Sequence, residues 1–326
     1  MWHRVGGIAY YVLKKFNLLG QVNREFRNGL KSCYEMNLVK TTAFKDILYS
    51  LSTVFSEAQF PYAFLKGAYL SNEIYPDGLR TSNDFDVLVN QCDLTACTNL
   101  LLDNGFVQGF YRHEKGIVPA TRRDILNSRM NRGETVPFLK QAKSVGMDVI
   151  EVDVNFSLDF KAKHERDLVS EILMNTQIFK IGDQQLSTLS KTDFLIQLCV
   201  HLYKEATIYN WVEMGRDLSL YKFCDIYAFV AKFGDSKYFS HLEEKIHHYG
   251  LERECYYALH NIKDIYPHII YTSGYRRLLK SIKPQQEEFM SQILQPANDK
   301  TYSYNMPFGE WLFSYNKVSL LAEINA

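Results

Sequence analysis

The chain has 326 residues, 46% of them hydrophobic and 23% charged, a balance that fits a soluble globular protein and excludes a disordered or collagen-like one. Lys and Arg together number 37, as do Asp and Glu, so no global basic excess points to duplex DNA as a partner, although a local patch is compatible with these totals. The length allows two domains, or one domain with a helical extension.

Residues 1–58 read as mostly helical. The opening "MWHRVGGIAYYVLKKF" has too short an apolar run for a membrane span and ends in Lys14-Lys15 rather than a small-residue cleavage site, so it is expected to be an amphipathic helix. No apolar stretch is long enough for a transmembrane helix. In "TTAFKDILYSLSTVFSEAQ", Thr41 and Thr42 are cap candidates, and Phe44, Ile47, Leu48, Leu51, Val54 and Phe55 follow at helical spacing. Pro61 stops that pattern. "YAFLK" is then a short strand, Gly67 opens the helix "GAYLSNEIY", and the Pro76-Asp77-Gly78 turn closes it. "DFDVLV" is a second strand, and "DLTACTNLLLDNGF" is a helix ending at Asn104-Gly105.

Residues 111–146 are expected to be an insertion, partly helix and partly loop. "MDVIEVDVNFSL" is a strand with Ile150, Val152, Val154 and Phe156 on one face and Glu151, Asp153 and Asn155 on the other. From about Leu189 onward the helical period dominates. The expected architecture is α/β (α+β): an N-terminal helical segment over 1–58, a small mixed-sheet core over 59–185 and a helical C-terminal domain over 186–326. The six cysteines, at 33, 92, 97, 199, 224 and 255, are scattered and contain no C-x-x-C, which suggests reduced thiols and a cytoplasmic location.

Candidate chemistry concentrates in "FLKGAYLSNEIYPDGLRTSNDFDVLV". Residues i and i+2 of a strand share a face, so Asp84 and Asp86 point the same way. Two neighbouring carboxylates repel and are costly to desolvate unless a cation lies between them. Oxygen-only ligands suit Mg²⁺ or Mn²⁺. Asp153, on the later strand, completes a metal-binding triad if that strand lies beside the first. Such a triad fits phosphoryl chemistry on an NTP, with Asp153 also accepting a proton from the attacking hydroxyl. Lys66-Gly67, at a strand-to-helix turn, offers a charge and backbone amides to phosphates, and Arg80 could approach from the loop.

This run resembles the signature of the uncharacterised nucleotidyltransferase family within the polymerase-β-like superfamily: a Lys-Gly turn, a helix, Tyr-Pro, an Arg, then Asp-hydrophobic-Asp entering an apolar strand. "VDVNFSL" is similar to the family's later Asp-bearing strand. The resemblance implies a nucleotidyltransferase that uses an NTP and a divalent metal, with Asp84, Asp86 and Asp153 as metal ligands and catalytic groups and with Lys66, Gly67 and Arg80 on the phosphate side. "LSKTDFLIQLCVHLYKE" and "LYKFCDIYAFV" echo the family's helical part, which implies that His201 and Lys204 line the nucleotide cleft and brings in Asp225. Asn83 stands where a glycine commonly precedes the first Asp. Asn155 stands where a His is usual, and an amide cannot carry a proton near neutral pH.

Other readings stay open. A His within "LIQLCVHLY" also suits a core position, and Lys222 with Asp225 a surface ion pair. Glu151 reads as a supporting or exposed group, and His247-His248 as surface. The basic residues Arg112, Lys115, Arg122, Arg123, Arg129 and Arg132 could grip a triphosphate or an anionic acceptor, or form an exposed charged segment. Neutral net charge favours a small molecule or a peptide or protein as acceptor over RNA. The alternatives to nucleotidyl transfer are a non-catalytic nucleotide- or partner-binding protein and, with too few strands ahead of Asp84 to favour it, a metal-dependent glycosyltransferase.

Overall fold

The structure is a computed structural model that describes residues 3–131, 133–158 and 168–324. It divides into two compact units, residues 3–190 and the chain from Lys191 onward. The architecture is mixed α/β, as expected.

The first unit is built on an eight-stranded sheet in the order β4-β3-β5-β6-β2-β1-β8-β7. Its strands are β1 (Tyr62–Phe64), β2 (Phe85–Val89), β3 (Val107–Arg112), β4 (Gly116–Pro119), β5 (Phe138–Ser144), β6 (Met147–Asn155), β7 (Gln177–Ile181) and β8 (Gln184–Thr188). Helix α1 (Gly6–Lys15) packs on α2 (Arg24–Phe55), and α2 lies along the sheet against β5, β6, β7 and β8. Of the apolar positions of α2 at helical spacing, Phe44, Ile47, Leu48, Leu51 and Phe55 are buried and Val54 is half-buried. The Phe44 ring stacks on Phe85 at 4.2 Å, and Phe55 meets Phe64 edge-on at 5.0 Å.

Thr41 and Thr42 are not caps. The helix begins seventeen residues earlier at Arg24, where Asn23 Oδ1 accepts from the Phe26 amide at 2.7 Å. Both hydroxyls instead donate back to carbonyls one turn earlier, Thr41 to Asn37 O at 2.8 Å and Thr42 to Leu38 O at 3.1 Å.

After β1, helix α3 (Gly67–Tyr69) continues as a π-helical turn over Leu70–Ile74. Helix α4 (Leu94–Asp103) ends at Asn104 as the Asn-Gly pair predicts, with Gly105 at φ +79°.

The segment 111–146 is more regular than expected. The β3–β4 hairpin, closed by Lys115 N–H donating to Arg112 O at 3.0 Å, leads into helix α5 (Arg122–Asn131) and then β5. The hairpin's outer end is solvent-exposed, so its sequence lacks the buried alternation that marks a strand. A Cβ on Gly109 would lie 2.2 Å from Val118 O, so only glycine lets the two strands approach this closely. Helix α6 (Leu168–Leu173) then leads to the hairpin β7–β8, which extends the far side of the sheet.

In the second unit, α7 (Lys191–Thr207) is buried on nearly all sides, the mark of a central helix. Against it pack α8 (Tyr209–Glu213), α9 (Leu220–Phe233), α10 (Ser236–Tyr249) and α11 (Glu252–Ile265), and α12 (Tyr275–Ser281) and α13 (Phe308–Phe313) pack on α11. The helical reading of this part omitted a three-stranded antiparallel sheet of β9 (Gln292–Gln295), β10 (Lys300–Ser303) and β11 (Ala322–Ile324). These are short strands with little burial, so they carry little periodic signal. Among the described residues no helix is long and apolar enough to cross a membrane.

Because the Phe44–Phe85 stack couples α2 to the strand that follows Asp84, Phe44→Ala is expected to cost about 3–5 kcal/mol, read as a lowered urea midpoint with an unchanged slope.

Candidate active site

The site residues of the first unit are brought together by strand pairing. Strands β1 and β2 are antiparallel, with Phe64 opposite Val87, and the Leu65 amide extends the ladder by donating to Asp86 O at 2.9 Å. Strands β2 and β6 are parallel, and their register sets Asp86 directly beside Asp153. Paired residues of adjacent strands share a face, so both carboxylates stand on the side away from buried Phe85, Val87, Val152 and Val154. Asp84 lies one residue ahead of β2, with the parity of Asp86.

The turn after β1 is strained. Lys66 has φ +40° and ψ −112°, a conformation that favours glycine and costs about 1–3 kcal/mol for a residue with a side chain. The lysine side chain has a partner there: Nζ donates to Asp86 Oδ1 at 2.8 Å. Asn155 Nδ2 stands 3.5 Å from the same oxygen and donates to Asp153 O at 3.2 Å.

The Lys66-Gly67 turn opens a helix of three residues. Helix α3 is very short, and the Ala68 amide already donates to Leu65 O at 3.3 Å. Position 67 also has no room for a side chain, since a Cβ there would lie 1.9 Å from Ser82 Oγ. Arg80 is buried on the connecting loop, where Nη1 donates to Thr81 O at 2.6 Å and to Ser82 Oγ. The loop is tied to α2: Asn37 Nδ2 donates to Gly78 O at 3.1 Å, and Thr41 Oγ1 accepts from the Gly78 amide at 3.4 Å.

Electrostatics set these carboxylates apart. Burial and then the Asp86 charge push the Asp84 carboxyl up, while Lys66 and Arg80 pull it down. Asp153 is raised well above the ordinary carboxylate range, first by burial and then by Asp86, Asp84, Glu151 and Glu134. Asp84 is nonetheless exposed and Asp153 half-buried. Both are crowded by protein yet reached by water, and both feel the charge of Asp86. Glu134 joins this group because the chain after α5 forms a bridge between Glu134 and Asn155. No local sequence signal marks it.

Among the described residues no three His, Cys, Asp and Glu side chains converge closely enough to hold a metal ion, and Asp86 is engaged by Lys66. In chemistry, however, the oxygen-only set and its mutual repulsion suit a hard divalent cation.

A model of the uncharacterised nucleotidyltransferase family matches residues 1–267. The chain belongs to that family. Among solved structures, an antigenic nucleotidyltransferase-like protein from Paracoccidioides brasiliensis aligns with a TM-score of 0.45 and 14% identity, covering 74% of this chain and 94% of that one. No curated protein matches the sequence. The family match covers the whole of the first unit and the part of the second that holds His201 and Lys204.

Within the second unit His201 Nε2 lies 3.1 Å from Glu205 Oε2, and Lys204 is half-buried on the same helix. Lys222 is not part of a surface pair with Asp225. It is buried, reaches Glu205 Oε2 at 2.5 Å and donates to Asp217 O at 2.6 Å, while Asp225 is itself buried. Of the basic segment, Arg112, Lys115, Arg122 and Arg123 are exposed at the β3–β4 turn and the start of α5, Arg129 is half-buried, and Arg132 lies outside the described residues.

A raised carboxyl pKa in the folded state means that the ionised form costs stability above that pKa, and the cost vanishes as pH falls below the unfolded value. Asp153→Asn is therefore expected to raise the thermal midpoint of this nucleotidyltransferase-family protein, kept free of divalent metal, by roughly 2–4 °C at neutral pH, with the gain lost below about pH 4 in a calorimetric pH series.

Proposed function

We propose that the protein transfers a nucleoside monophosphate from an NTP to an acceptor hydroxyl or similar group and releases pyrophosphate. The observation that carries this reading is the β2–β6 register, which sets Asp86 beside Asp153 with Asp84 one turn of the pleat away.

In this reading Asp84, Asp86 and Asp153 hold Mg²⁺ or Mn²⁺. The ion would neutralise phosphate charge and lower the pKa of the acceptor hydroxyl. The acceptor oxygen forms the new bond to the α-phosphorus, the bond from that phosphorus to the bridging oxygen of the β-phosphate breaks, and pyrophosphate leaves. Asp153 takes the hydroxyl proton, as a carboxylate beside the acceptor oxygen can. Lys66 and Arg80 supply cationic charge on the phosphate side, and their charges already act on Asp84. His201 and Lys204 are assigned to nucleotide binding by the family resemblance alone. A small molecule or peptide remains the favoured acceptor.

A nucleotide-binding protein without turnover is the second reading. It is favoured by the Lys66–Asp86 ion pair and by an amide at Asn155 where the resemblance expects a histidine. A glycosyltransferase is disfavoured because β1 is the only strand ahead of β2 among the described residues.

Incubation with each α-labelled NTP, Mg²⁺ or Mn²⁺ and a lysate of the source cells is expected to move label onto an acceptor with release of pyrophosphate. Asp84→Asn, Asp86→Asn and Asp153→Asn should each lower that transfer by on the order of a thousandfold. Label that never leaves the nucleotide pool, or nucleoside diphosphate as the product, would sink the assignment. Metal-dependent NTP binding without transfer would establish the binder.

A further inference from the structure

The Lys66-Gly67 step and the Arg80-Thr81-Ser82 loop interlock. Gly67 is buried, and a Cβ built on it would lie 1.9 Å from Ser82 Oγ and 2.6 Å from Ser82 Cβ. Ser82 therefore occupies the space that a side chain at position 67 would need. From that place its hydroxyl accepts a hydrogen bond from Arg80 Nη1, and the same nitrogen donates to Thr81 O at 2.6 Å. Ser82 and Arg80 are only 5% and 9% exposed. A guanidinium is a rigid planar fork, so fixing one nitrogen fixes the direction of all its donors. The loop backbone beneath is held by Asn37 and Thr41 of α2, and Ser82 is one of the groups that hold the Arg80 side chain.

We propose that Ser82 is a positioning residue that aims the Arg80 guanidinium at the triphosphate, and that Gly67 serves the site by lacking a side chain, which gives Ser82 its room. The inference rests on the nucleotidyl-transfer reading, because it takes a triphosphate as the group that Arg80 meets. It gives the Lys-Gly step two distinct jobs: Lys66 reaches Asp86, and Gly67 makes way for the support of Arg80. A phosphate held by an arginine that must first search for its orientation binds more weakly, since the ordering cost then falls on binding.

The test uses the full chain and calorimetry with a non-hydrolysable NTP and Mg²⁺. Ser82→Ala is expected to weaken binding about tenfold, Arg80→Ala by at least as much, and the double variant no more than Arg80→Ala alone. Thermal midpoints of Ser82→Ala and Arg80→Ala should stay within about 2 °C of the parent. In NTP-dependent pyrophosphate release the Ser82→Ala loss should fall on KM for the NTP rather than on kcat. Gly67→Ala should lower both midpoint and affinity. Adding Ser82→Gly to it should restore the midpoint, because the clash is gone, but not the affinity, because the hydroxyl is gone too. Ser82→Ala that binds as the parent does, losses that add in full, or an affinity regained in the Gly67→Ala/Ser82→Gly protein would each overturn the positioning role while leaving the nucleotide reading in place. A parent protein that binds no NTP would overturn both.

Discussion

The parallel pairing of β2 with β6 is the constraint on which the site depends. It places Asp86 and Asp153 side by side, although the two residues are more than sixty positions apart in the chain. Adjacent carboxylates on neighbouring strands are an unfavourable pair, and burial first and the Asp86 charge second push the Asp153 carboxyl up. The arrangement is held by the opposite face of the same strands, where Phe85, Val87, Val152 and Val154 are buried under α2 and its neighbours. Hydrophobic burial on one side thus keeps like charges together on the other. Residues with such opposed demands are typical of sites whose electrostatics are completed by a ligand.

Helix α2 reaches further into this arrangement than its position in the chain suggests. Its Phe44 packs on Phe85 within β2, while Asn37 and Thr41, two turns and one turn earlier, tie down the loop that carries Arg80. One rigid element therefore registers the carboxylate strand and the arginine loop against each other. A helix of 32 residues can do this because its successive turns present side chains at fixed 5.4 Å intervals along one face. The same turns bury its apolar stripe against the sheet, so packing and positioning come from a single surface.

Much of the fold was legible in the sequence where burial imposed a period. The α2 stripe, the β6 alternation and the Asn104-Gly105 stop each reflect a local rule that the tertiary environment obeys. The departures occur where local and tertiary signals diverge. Thr41 and Thr42 resemble caps, yet the helix runs through them because a better cap at Asn23 lies upstream. The β3–β4 hairpin and the β9–β11 sheet were missed because exposed or short strands bury too little to show alternation. Lys222 reads as a surface cation by spacing alone, but three partners in the second unit, Glu205 and the Arg216 and Asp217 carbonyls, satisfy its ammonium in a buried position.

For the site, the sequence by itself determined which residue types were available and which shared a face: the strand period puts Asp84 with Asp86, and Asp153 with Glu151 and Asn155. Only the tertiary structure decided which of those faces meet, because register between distant strands depends on packing that no local window contains. It set Asp153 beside Asp86 rather than some other residue, brought Glu134 in from the end of α5, and changed the meaning of Gly67. In the sequence Gly67 marks a turn. In the fold it is the space that Ser82 fills, because the van der Waals radius of a single methyl group is enough to exclude one or the other.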